Sequence, residues 1–200
     1  MKNLAKAPTL IGAFFIAYYK ITSPQPPLKG GASEIPPLRE VSRHNVGTED
    51  VAFMKEIISH NIADTAQFAQ EFLVGLTPQS DWATVVGLYG DLGSGKTFFV
   101  QQIAKALGVR GSVQSPTFVI VKSYKLKVKS FNTLIHVDAY RLEKGEELRK
   151  LEFQGLLADH RNLIFIEWAE RVAGILPPDH IKLHFEFVND TTRKISKDPS

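Results

Sequence analysis

The residue pattern predicts an α/β fold: a mainly parallel central sheet flanked by helices, with an antiparallel hairpin at one edge. Three observations carry that reading. Short apolar runs with β character alternate with segments of helical periodicity. One of those runs, Val85-Val86-Gly87-Leu88-Tyr89, leads through a glycine-rich turn directly into a helical stretch. Two further β-type runs, 118–126 and 133–138, are separated by a short polar turn near Ser130, the mark of a hairpin. In sheets of this class the ligand lies at the carboxyl ends of the strands.

The glycine-rich turn is Gly90-Asp91-Leu92-Gly93-Ser94-Gly95-Lys96-Thr97, which matches G-x-x-x-x-G-K-[ST] at every position. Glycines let the backbone curl until successive N–H groups face inward at phosphate oxygens. The following helix, 97–107 and closed by Gly108, adds the partial positive charge of its N-terminus. Lys96 supplies a cation for β- and γ-phosphates and the Thr97 hydroxyl is placed to ligate Mg²⁺. Asp91, Leu92, Gly93, Ser94, Gly95, Lys96 and Thr97 are therefore the candidate ATP-binding residues of a P-loop NTPase-like domain.

The other elements follow in chain order. Residues 55–59 read as a short strand, and Asp64 or Thr65 is placed to cap a helix carrying Phe68, Phe72 and Leu73 on one face. Residues 77–81 form a turn before the phosphate-loop strand. Glu146 to Ala158 is helical, with Leu148, Leu151, Leu156 and Leu157 available for burial. Leu163-Ile164-Phe165-Ile166-Glu167 is a buried strand. Pro177-Pro178 ends the next helical turn, and residues 181–187 alternate as a half-buried strand.

Residues 1–53 differ from the rest. Six of the eleven prolines lie there (Pro8, Pro24, Pro26, Pro27, Pro36 and Pro37), and residues 23–33 are of low complexity. The apolar run 10–19 behind Lys2 and Lys6 has the layout of a signal peptide, but it is too short to span a bilayer and no small-x-small cleavage site follows. The expectation is an extension of disordered character before a domain over 54–200, with Met54 the natural start. Zero cysteines exclude disulfides, thiolate metal sites and cysteine nucleophiles, consistent with a cytoplasmic protein without stable membrane insertion. With 24 Lys+Arg against 21 Asp+Glu, the net charge of +3 is too small to announce nucleic-acid binding.

Two carboxylates close apolar strands, Asp138 after Leu134-Ile135-His136-Val137 and Glu167 after Leu163-Ile164-Phe165-Ile166. A phosphate-loop enzyme needs one acid to order Mg²⁺ and one to orient the attacking water, so Lys96, Asp138 and Glu167 are the candidate catalytic residues. Spacing does not divide the two roles between the acids.

The phosphate loop, then Ser115-Pro116-Thr117, then Asp138-Ala139-Tyr140-Arg141-Leu142 with Glu146-Glu147-Leu148, then Ile166-Glu167-Trp168, closely resemble the TsaE family over about residues 54–195. These are small bacterial ATPases required for the threonylcarbamoyladenosine modification of tRNA. The resemblance implies that Thr97 and Glu167 ligate Mg²⁺, that Asp138 assists hydrolysis, and that Ser115 and Thr117 belong to a switch-like segment near the γ-phosphate. It also implies that residues near Asn61 border the adenine, and that the partners are TsaD and TsaB, with tRNA reached through that complex. Two positions depart from the family pattern: Ala169 stands where proline is usual and Phe98 where a second small hydroxyl residue is common.

Other residues carry bland readings. Lys125, Lys127 and Lys129 share one face of an edge strand that resists aggregation. His136 is a packed or hydrogen-bonded histidine. Trp168 is either core or a partner-facing anchor, and Arg141 either senses phosphate or pairs with Glu146 or Glu147. His44 and His60 lack ligand-spaced companions. The favoured function is a weak Mg²⁺-ATPase accessory to tRNA modification. The alternatives are a nucleotide-dependent assembly factor with dispensable hydrolysis, and a small-molecule kinase, for which no arginine-rich lid is evident. No Asn-Lys-x-Asp run is present to read guanine. N-terminal sequencing of the natively expressed protein is expected to begin at Met54; finding Met1 overturns that expectation.

Overall fold

The computed structural model describes residues 56–111, 113–116 and 119–199. The expectations for residues 1–53 and for Thr117 lie outside the described residues. The strands are β1 (Glu56–Ser59), β2 (Thr84–Tyr89), β3 (Val121–Lys125), β4 (Thr133–Asp138), β5 (Asn162–Glu167), β6 (Ile181–Phe187) and β7 (Arg193–Lys197). The helices are α1 (Ile62–Val74), α2 (Lys96–Ala106), α3 (Gly145–Arg149) and α4 (Phe153–Ala158), with a 3₁₀ helix over Ala169–Ile175.

One seven-stranded sheet runs in the order β1-β7-β6-β2-β5-β4-β3. The central strands β6, β2, β5 and β4 are parallel. The expected hairpin β3–β4 makes one antiparallel edge, and β7 and β1 make a second that spacing did not announce. Strand β7 contributes a single buried apolar residue, Ile195, which is too little alternation to read.

The period of two divides the sheet into two packed faces. Ile135, Val137, Ile164 and Ile166 point to one side, where they meet Leu148, Phe153, Leu157, Val172 and Ile175 from α3, α4 and the 3₁₀ helix. On the other side α1 and α2 seal an aromatic layer: Phe99 lies 5.7 Å from both Phe68 and Phe72, 6.2 Å from Phe165 and 5.4 Å from Phe185. Leu134, His136 and Asp138 share that second face, as do Leu163, Phe165 and Glu167. The site acids are thus on the face that α2 covers.

Several boundaries differ from expectation for local reasons. The cap of α1 is Asn61, whose Oδ1 accepts the N–H of Ala63 (2.8 Å) and Asp64 (3.1 Å); Asp64 instead reaches back to the N–H of His60, and Thr65 is buried against the Ser59 hydroxyl. The helix expected over 146–158 breaks into α3 and α4 where Glu152 takes φ +57°. That break exposes Leu151 and buries Phe153 instead. Ile120 takes φ +69°, so β3 starts only at Val121; it ends at Lys125, which leaves Lys127 and Lys129 exposed beyond the strand rather than on its face.

Gly90 and Gly93 test how tightly the phosphate loop is built. Both have positive φ (+124° and +78°), but a Cβ on Gly90 would run into the carbonyl oxygen of Phe185, whereas one on Gly93 meets nothing within 4 Å. Gly90→Ala is expected to lower the unfolding free energy by about 2–4 kcal/mol and Gly93→Ala by about 1 kcal/mol, measured by denaturant melts. Equal losses would show that backbone strain alone decides both.

Candidate functional site

The phosphate loop leaves the sheet between two flanks. Leu88 of β2 is level with Glu167 of β5, and Glu167 is level with Asp138 of β4. Beyond Leu88, the positive-φ glycines Gly90, Gly93 and Gly95 turn the chain into α2, whose first residue is Lys96. The loop's outer residues Asp91 and Leu92 are exposed, while Ser94 and Lys96 are buried.

Lys96 bends back over its own loop. Its Nζ donates to the carbonyls of Gly90 (2.5 Å) and Asp91 (2.8 Å) and lies 4.1 Å from the centre of the Trp168 ring. Burial lowers its pKa from the ordinary lysine value, and Glu167, Glu170, Asp138 and Asp91 oppose that shift by favouring the cation. The surrounding acids therefore help keep a desolvated ammonium charged.

Around that cation the sequence-predicted residues converge. Thr97 donates its hydroxyl to Glu167 Oε2 at 2.7 Å, and Glu167 is 3% exposed. Ser115 donates to Asp138 Oδ2 at 2.6 Å, and the N–H of Tyr140 donates to Asp138 Oδ1 at 3.0 Å. The backbone N–H of Asp138 donates to Ile120 O at 2.9 Å, so the segment ahead of β3 grips this acid at a second point. Thr97 and Glu167 offer hard oxygen donors from adjacent elements, the chemistry Mg²⁺ requires. Among the described residues no group of three or more His, Cys, Asp or Glu side chains could hold a metal by itself. Asn61 stands apart from the acids, at the β1 end of the sheet, with its side-chain oxygen engaged in capping α1.

The family model described as "Threonylcarbamoyl adenosine biosynthesis protein TsaE" matches residues 59–195. The chain belongs to the TsaE family. It is 36% identical over 141 residues to a "tRNA threonylcarbamoyladenosine biosynthesis protein TsaE" of Rickettsia felis, covering 70% of this chain and 77% of that one. A protein of the same description from Bacillus subtilis is 35% identical over 114 residues, 56% of this chain and 67% of its own length. The crystal structure of Bacillus subtilis YdiB shares the fold, with a TM-score of 0.54 and 24% identity over 71% of this chain and 82% of that one. A role in threonylcarbamoyladenosine biosynthesis is thereby supported. No helix among the described residues is long and apolar enough to cross a membrane.

His136 is packed and hydrogen-bonded as expected, but its partner, and three further features around the site, are seen only in the structure. His136 is fully buried and its Nε2 lies 2.7 Å from Glu167 Oε1, a contact foreshadowed only by its position two residues before Asp138 on the same strand face. Trp168 is half-buried, with φ +60°, and its ring covers Lys96. Tyr140 and Arg171 extend that cover, Tyr140 at 5.1 Å from the Trp168 ring and Arg171 at 5.8 Å. Arg193, opposite Ser59 at the start of β7, packs its side chain 3.9 Å from where a Cβ on Gly95 would sit, and its guanidinium lies 4.5 Å from the Phe187 ring. The departures from the family pattern are accommodated: Ala169 is buried against Gly87, and Phe98 is half-buried at the start of α2.

The Lys96–Trp168 contact supplies a reporter. In a Trp82→Phe background, titration with inorganic triphosphate is expected to change the emission of Trp168, because an anion in the loop draws Lys96 off the ring. Lys96→Met is expected to abolish the change. An unaltered response in Lys96→Met would show that the ring senses something other than this cation.

Proposed function

We propose that the chain is a weak Mg²⁺-dependent ATPase that serves the threonylcarbamoyladenosine modification of tRNA together with TsaD and TsaB in the cytoplasm, and that residues 54–200 form its ATPase domain. The observation that carries this reading is the 2.7 Å contact between Thr97 and Glu167, directly behind a phosphate loop and beside Asp138. A strand-end acid joined to the loop hydroxyl is the arrangement that phosphoryl-transfer sites use.

In this reading the loop amides and the N-terminus of α2 cradle the phosphates. Lys96 exchanges the carbonyls of Gly90 and Asp91 for β- and γ-phosphate oxygens, a short swing of a side chain already lying over the loop. Thr97 and Glu167 would hold Mg²⁺, which when bound neutralises charge on the phosphate oxygens. Asp138 orients water for in-line attack, its carboxylate held by Ser115 and the Tyr140 amide. Because Ser115 touches the acid, the Ser115-Pro116-Thr117 segment is the natural element to register the γ-phosphate. On the flank away from the acids, Asn61 and Arg193 would border the nucleoside of ATP, Arg193 lying beside Gly95 of the loop.

A nucleotide-dependent assembly role, with hydrolysis dispensable, predicts a different mutant phenotype. Asp138→Ala is expected to bind ATP within about threefold of wild type, to lose at least 100-fold in hydrolysis, and to fail to support tRNA modification with TsaD and TsaB. Full support by that variant would establish the assembly role instead. Capture of the full chain by TsaD and TsaB only in the presence of Mg²⁺ and ATP is the companion result. Absence of capture with hydrolysis intact would overturn the assignment of partners.

A further inference from the structure

We propose that His136 is a positioning residue whose buried Nε2–H fixes the carboxylate of Glu167 in the orientation that meets a divalent cation. The proposal rests on the Mg²⁺-ATP reading above. Its physical basis is the hydrogen-bond chain across three elements: His136 on β4 contacts Glu167 Oε1 at 2.7 Å, and Thr97 on α2 contacts Oε2 at 2.7 Å. A glutamate carboxylate swings on three torsions, and these two donors grip its two oxygens from separate elements. A carboxylate oxygen only accepts, so the shared proton sits on His136 Nε2. Unlike a hydroxyl, that donor cannot rotate, because the ring is set by a strand packed on both faces.

Packing alone does not account for an imidazole at this position. The ring is 0% exposed in a strand whose neighbours are Leu134, Ile135 and Val137. Among the described residues its second nitrogen, Nδ1, has no hydrogen-bond partner. The polar ring is therefore withdrawn from water and compensated at one atom only, by Glu167. An apolar side chain would fill the strand without that desolvation. The chemistry of His136 has one visible use, and it is directed at the acid. Partners that orient a metal ligand from behind typically change metal affinity 10- to 100-fold when removed.

The test compares wild type, His136→Leu and His136→Gln in the full chain, saturated with the non-hydrolysable β,γ-imido analogue of ATP. Mn²⁺ replaces Mg²⁺, and its affinity is read from the electron paramagnetic resonance signal of the free ion. His136→Leu is expected to weaken Mn²⁺ about 10- to 100-fold while binding of the analogue in EDTA stays within about twofold. His136→Gln, which offers an amide N–H near the place of Nε2–H, is expected to recover most of the loss. Melting temperatures of all three proteins accompany the titration. Mn²⁺ affinity unchanged in His136→Leu overturns the proposal, as does an equal loss in both variants that follows their melting temperatures. A wild-type chain that binds neither the analogue nor Mn²⁺ overturns the Mg²⁺-ATP reading itself, and the proposal with it.

Discussion

The in-register pairing of β2, β5 and β4 is the constraint on which the site depends. Leu88, Glu167 and Asp138 occupy one row across three parallel strands, each about 4.8 Å from the next. The phosphate loop starts two residues past that row, so the distance from loop to acids is set by sheet geometry and not by flexible connections. A one-residue slip in either pairing would turn an acid to the opposite face, into the apolar layer formed by Ile135, Val137, Ile164 and Ile166. The cost of burying a carboxylate there holds the register, and the register holds the site.

Charge is the second constraint. Lys96, Asp138 and Glu167 are each at most 4% exposed, so none can rely on bulk water. Each is compensated at short range instead: the lysine by loop carbonyls and the Trp168 ring, Glu167 by Thr97 and His136, Asp138 by Ser115 and a backbone amide. The loop cation thus donates to its own loop, with Glu167, Glu170, Asp138 and Asp91 near enough to favour its charged form. A cation matched to its own loop by carbonyls is displaced by a stronger anion at little cost, which a tight Lys–Glu pair would resist.

Much of this was legible in the residue pattern because loop chemistry is local. Gly90 to Thr97 encodes its own conformation, and the two acids announce themselves by ending apolar runs. What was hidden depends on tertiary context. Asn61 outcompeted Asp64 and Thr65 for the α1 cap because Ser59 and His60 each drew one of those rivals away. The break at Glu152 follows from burying Phe153 and Leu148 in the same layer, which one straight helix did not achieve. Strand β7 has one apolar residue and acquires its place from two partners, β6 and β1. The interaction of His136 with Glu167 crosses two strands, so spacing within β4 put His136 on the face of Asp138 but could not name Glu167 as its partner.

The two acids are held in different ways, and the difference bears on how the site is controlled. Glu167 is held by residues of regular elements, Thr97 on α2 and His136 on β4. The Asp138 carboxylate is held by the Ser115 hydroxyl and the Tyr140 N–H, and its backbone N–H donates to the carbonyl of Ile120, a residue in a left-handed conformation that few side chains favour. Under the Mg²⁺-ATP reading proposed above, the acid held by α2 and β4 would serve the ion, and the acid held by Ser115 and Tyr140 would serve the attacking water.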